Sequence, residues 1–132
     1  MSMQVLQPPG WAPARGYANG VVARGRQIYV AGQIGWDEHQ RLVSERFAEQ
    51  LRQALRNILA VLAQAGAGPE HIVRLTWFIT SRDEYQASLK EIGAAYREVM
   101  GRNFPPMSVV QVAALIEAGA KVEIEATAVI ED

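Results

Sequence analysis

A chain of 132 residues, 49% hydrophobic and 20% charged, holds enough apolar material for one folded domain and too much for a disordered segment. Thirteen basic residues against fourteen acidic ones leave a net charge of −1, without the basic excess that binds nucleic acid or an anionic membrane. Cysteine is absent, which excludes disulfides, thiolate nucleophiles and cysteine-ligated metals and suits a reducing compartment. Residues 1–10 lack a charged leader followed by an apolar run, and no apolar stretch approaches the roughly 20 residues of a membrane helix. The expectation is a single cytoplasmic domain over residues 1–132.

Residues up to 15 are rich in Pro and Gly and read as an irregular arm. Residues 21–31 hold two β-rich runs around Gly25, a hairpin pattern closed by Gly32 and Gly35, where an unusual backbone angle is expected. The first helix is capped by Ser44 and carries Phe47, Leu51, Ala54, Leu55, Ile58 and Leu62 at steps of three and four. Arg46, Glu49, Arg52, Gln53 and Arg56 keep its other side wet, and Gly66 ends it. Residues 72–80 alternate with period two. Ser81 and Glu84 then form a capping box for a second helix with the stripe Tyr85, Leu89, Ile92, Tyr96 and Val99, stopped by Gly101.

Pro105 and Pro106 bar a helix, so a strand over residues 108–115 and a turn over 117–120 follow. The last strand sets Val122, Ile124, Ala126, Ala128 and Ile130 against Lys121, Glu123, Glu125, Thr127 and Val129. The order is ββαβαββ, an α+β fold whose mixed sheet carries two helices on one face. Phe78 on one strand, with Val109, Ala113 and Leu115 on the next, leaves apolar groups on the second face. No third helix is available to cover them, and association of subunits is the economical answer.

Catalytic patterns are sparse. His39 and His71 sit in loops with no partner at metal-ligand spacing. Ser108 has no histidine and carboxylate near it in sequence, and Gly25, Gly32 and Gly35 precede no helix start of a phosphate-binding loop. Glu123 and Glu125 share a strand face, a pattern that also suits plain solvation. Tyr17 equally suits packing of the arm onto the sheet.

Residues 104–115 (Phe-Pro-Pro-Met-Ser-Val-Val-Gln-Val-Ala-Ala-Leu) and 122–129 (Val-Glu-Ile-Glu-Ala-Thr-Ala-Val) resemble the C-terminal signature of the RidA/YjgF (reactive intermediate deaminase) family. Gly16-Tyr17, residues 29–35 and the run from Gln53 to Gly66 match in order and spacing, so the resemblance spans nearly the whole chain. It implies a chorismate-mutase-like fold, a homotrimer and small-molecule clefts between subunits. It also implies hydrolysis of enamines and imines such as 2-aminoacrylate to keto acid and ammonia, with no metal or organic cofactor.

By position the resemblance makes Glu123 the catalytic group that positions or activates water. Tyr17, Gly32, Gly93, Met107, Ser108 and Val109 become ligand contacts. Two positions depart from the family. Met107 stands where the deaminases carry the arginine that grips the substrate carboxylate through two hydrogen bonds. Gly93, on a helix longer by about a turn, stands where they carry an asparagine. Loss of the guanidinium costs on the order of 2–5 kcal/mol of affinity for a small carboxylate. The expected ligand is therefore not a small carboxylate gripped by arginine at that position, although Arg15, Arg24 and Arg74 are available from other directions. Three readings follow: an imine hydrolase of altered specificity, a non-catalytic small-ligand-binding trimer, and an endoribonuclease. The neutral charge balance argues against the third.

Overall fold

In the computed structural model, which describes residues 3–131, the clean alternation of residues 122–130 becomes the strand around which the sheet is built. The elements are β1 (Met3–Leu6), β2 (Gly20–Ala23), β3 (Arg26–Ile34), α1 (Phe47–Ala63), β4 (Ile72–Ile79), α2 (Arg82–Ala87), α3 (Leu89–Met100), β5 (Met107–Gln111) and β6 (Val122–Ile130). A short 3-10 turn, Pro69–His71, leads into β4. The main sheet has the order β3-β6-β4-β5. β6 runs antiparallel to both neighbours, and β5 lies parallel to β4 at the edge.

One face of this sheet carries the core. Val30, Leu75, Trp77, Ile79, Val122, Ile124, Ala126 and Ala128 are buried against Leu51, Ala54, Leu55, Ile58 and Leu62 of α1 and Ile92, Ala95, Tyr96 and Met100 of α3. Each large apolar side chain there contributes about 1.5–3 kcal/mol. The fold is thus α+β with a mixed sheet and its helices on one side, as the periodicities predict. Among the described residues no helix is long and apolar enough to cross a membrane.

Several local expectations give way. The arm contains β1, which pairs antiparallel with β2 from Met3↔Ala23 to Leu6↔Gly20. The expected hairpin across Gly25 therefore does not form. Gly25, at φ 143°, lies so close to the end of β6 that a Cβ there would sit 2.0 Å from the Ile130 carbonyl oxygen. The chain turns there from the small sheet into the large one, where β3 pairs with β6.

Ser44 does not cap α1. Its Oγ accepts from the Arg46 N–H (2.9 Å), and Arg46 itself is the residue before the helix, with no side-chain cap. Ser81 does cap α2, accepting from the Glu84 N–H (3.1 Å). The Glu84 carboxylate goes to Lys121 Nζ (2.7 Å) rather than back to the cap. The second helix breaks at Ser88 (φ −108°, ψ 11°) into α2 and α3, which leaves Leu89 half-exposed and outside the buried stripe.

The period-two alternation of residues 72–80 is interrupted by a register shift between Ile72 and Arg74, so that Ile72 is buried with Leu75 and Val73 is half-buried. β5 ends at Gln111, well short of residue 115, and its pairing of Val109 with Trp77 puts Val109 on the helix side. Phe78 and Val110 are an apolar pair on the other face.

Gly32 and Gly35 serve close approach, since neither has a positive φ. A Cβ on Gly35 would lie 2.4 Å from Gln50 Cα of α1. The fully buried Gln50 donates to the Ser44 and Gly119 carbonyls (2.9 and 3.0 Å) and accepts from the Lys121 N–H (2.8 Å). That side chain ties α1 to the loop that leaves β3 and the loop that enters β6.

Candidate functional site

The parity of β5 decides what it offers to a ligand. Met107 and Val109 pair with Leu75 and Trp77 and share their face, whereas Ser108 pairs with Thr76 and is exposed on the other. Beside Met107 and Val109, the α2–α3 segment stands off the sheet edge and leaves a groove of about 370 Å³. Its floor is Trp77, Met107 and Val109. One wall is Tyr85, Ile92 and Gly93, and Tyr96 with Phe104 forms a stacked pair at 5.6 Å between ring centroids. The arm closes over it with Arg15 and Tyr17, and Arg97 of α3 completes the rim. The size falls in the range of small-molecule sites, roughly 300–1,000 Å³.

The groove is apolar with cationic edges. Its lining includes two arginines and no carboxylate. Burial raises the Tyr85 phenol above its ordinary value and the Tyr96 phenol well above it, so both stay neutral. The Tyr96 hydroxyl is committed to the Asn103 carbonyl. The Trp77 indole N–H, buried beneath the floor, finds no acceptor among the described residues. Tyr17 is 43% exposed and also faces a larger hollow of about 630 Å³ between the arm and residues 102–105.

Gly32 and Glu123 meet on the opposite face of the sheet. Val122 and Ile124 point into the core, so Glu123 points away from it, next to Phe78 of β4. A Cβ on Gly32 would fall 2.1 Å from Glu123 Oε2, so the carboxylate occupies the space that a side chain at position 32 would need. Of the expected site residues, Tyr17, Gly93, Met107 and Val109 come together in the groove. Gly32 and Glu123 come together on the other face, where Ser108 is also exposed. Within one chain the sheet separates the two sets.

Among the arginines named from sequence, Arg15 reaches the groove. Arg74 lines a hollow on the far face with Gln27 and Thr127. Arg97 was not anticipated, although its spacing of four from Gly93 on a helix places the two on one face. His39 lies 3.8 Å from Glu38, and His71 Nδ1 accepts from the Gly68 N–H (2.9 Å). Among the described residues no three histidine or carboxylate side chains are placed to hold a metal.

Comparison with known proteins agrees with this architecture. Residues 9–130 match the family described as endoribonuclease L-PSP. A human protein named 2-iminobutanoate/2-iminopropanoate deaminase is 35% identical over 105 residues, covering 79% of this chain and 73% of its own. A RutC family protein of Aquifex aeolicus is 29% identical over 127 residues, covering 96% and 98%. The crystal structure of YyfB of Yersinia pestis, a Rid family protein of unknown function, superposes with a TM-score of 0.87 at 30% identity, covering 98% of this chain and 100% of that one. The YjgF gene product of E. coli superposes at 0.68 and 33% identity, covering 86% and 87%. A family match over residues 9–130 and close superposition on Rid family structures together make this chain a member of the RidA/YjgF family.

Proposed function

We propose that this chain hydrolyses enamine or imine intermediates to keto compounds and ammonia, in clefts completed between the subunits of a homotrimer. The observation that carries the reading is the division of the candidate residues between the two faces of the sheet. A groove with Tyr17, Met107 and Val109 lies on one face, and a carboxylate seated against a bare glycine lies on the other. One chain cannot join them, but the Gly32–Glu123 patch of a second copy can close the groove of the first. A rotation that repeats this contact closes into a ring. The names of the deaminase relatives support the same chemistry.

In the proposed reaction Glu123 takes a proton from water as the water oxygen bonds to the iminium carbon, giving a carbinolamine. Glu123 returns that proton to nitrogen, the C–N bond breaks, and ammonia leaves as the hydroxyl gives its own proton to the Glu123 carboxylate and its oxygen becomes the carbonyl. No cofactor enters this balance. Met107 makes the β5 side of the cleft apolar, so substrates with an apolar body are favoured over the smallest ones. A non-catalytic small-ligand trimer is the second reading, favoured by a groove that forms in one chain without Glu123. Endoribonuclease activity ranks last, given the net charge of −1.

The test is ammonia release from freshly generated imines of apolar and acidic amino acids. Acceleration over buffer, largest for the apolar ones, is the expected result. No acceleration with any member of the panel leaves the binder. Light scattering is expected to return about three times the 14.5 kDa chain mass, and a clean monomer would remove the shared cleft.

A further inference from the structure

We infer that Arg97, given room by Gly93, recognises the carboxylate of an imino or keto acid whose apolar body lies along Met107, so that the guanidinium absent at 107 is supplied from α3. This rests on the groove being the ligand site proposed above. Residues 93 and 97 are one helical turn apart and share a face. A Cβ on Gly93 would stand 3.2 Å from Arg97 Nη1 and 4.0 Å from Cζ, so the guanidinium lies back over bare helix backbone along the groove wall. Glycine is a poor residue for a helix interior, and this contact gives it a purpose.

The charges around Arg97 leave it free for a ligand. Glu91 pairs with Arg46 (3.3 Å), and Glu98 with Arg52 and Arg56 (3.0 and 2.7 Å). Both neighbouring acids of α3 are thus engaged on its other side. Neither Arg97 nor Arg15 has an ion-pair or hydrogen-bond partner for its guanidinium among the described residues. Opposite them the floor is Trp77, Met107 and Val109, flanked by Phe104. A cationic rim facing an apolar floor selects an anion with a bulky apolar substituent over a small or doubly charged one. Arg97 is exposed, so its attraction weakens with salt.

Calorimetry with phenylpyruvate and its uncharged methyl ester, at low salt, tests this. The acid should bind at least about tenfold tighter than the ester, and Arg97→Ala should remove about that factor for the acid alone. Arg97→Lys should recover part of it. Gly93→Ala should melt no lower than the parent, yet bind the acid several-fold more weakly, because its Cβ crowds the guanidinium. Equal binding of acid and ester, acid binding unchanged in Arg97→Ala, or no acid binding at all would each overturn the assignment. Arg97-dependent binding without acceleration of any imine would overturn hydrolysis and leave this assignment standing. Turnover of acid-bearing imines indifferent to Arg97→Ala would do the reverse.

Discussion

Glu123→Gln is expected to lower imine-dependent ammonia release by about 10²–10⁴-fold while leaving the melting temperature and the subunit count unchanged. The amide has the shape of the carboxylate and can still hold a water, but it cannot take its proton. The side chain projects from the central strand β6 away from the core, between the buried Val122 and Ile124, so the exchange disturbs no packing. Gly32→Ala is the companion. Its Cβ would meet Oε2, Cδ and Cγ of Glu123, a side chain that can turn aside while no backbone stands in the way, so the fold survives while the carboxylate leaves its place. A Gln variant keeping more than about a tenth of the parent rate would rule out Glu123 as the base. Coupled-enzyme detection of ammonia, with light scattering on the same samples, separates that outcome from loss of the assembly.

What could be read from the sequence was whatever the chain encodes locally. Every expected residue of the α1 stripe is buried, with Ala48 and Gln50 added, and the β6 stripe is buried as far as Ala128, with Ile130 half-buried, because burial on one face of a helix or sheet needs only the periods of 3.6 and 2. Pairing partners are not local. Residues 20–23 and 26–34 look like a hairpin, yet β2 takes β1 and β3 takes β6, a strand nearly a hundred positions away. The break at Ser88 was hidden for a different reason. The apolar spacing runs through it from Tyr85 to Ile92, and only the exposure of Leu89 reveals that the stripe is interrupted.

The site follows the same division. The candidate residues 17, 32, 93, 107 and 123 were named through the family resemblance. Which of them share a face depends on the parallel register of β5 against β4, where Met107 meets Leu75. Arg97 escaped notice because amphipathic reasoning assigns the charged side of a helix to solvent. The gap at Gly93 was the cue, a missing side chain one turn before a long cation.

Gly35→Ala is expected to destabilise the protein by roughly 2–4 kcal/mol, a fall in melting temperature of about 10 °C. Backbone strain plays no part, since Gly35 has no positive φ and alanine can adopt its conformation. The obstacle is space. The new methyl would lie 2.4 Å from Gln50 Cα and 2.7 Å from its carbonyl oxygen, which are helix backbone and cannot rotate away. α1 must therefore lift from β3, and the lift costs twice. Leu51, Ala54 and Leu55 lose contact with the sheet, and the three hydrogen bonds of the buried Gln50 are stretched, leaving the Gly119 carbonyl and the Lys121 N–H without their partner. Gly32→Ala meets only the Glu123 side chain, Oε2, Cδ and Cγ at 2.1, 2.8 and 3.0 Å, which can turn aside on its own torsions, and should fall by no more than a few degrees. Thermal melts of the two variants, run side by side, check the argument. If both shift equally, the distinction between a backbone and a side-chain obstacle fails, and with it the account of why each glycine is there.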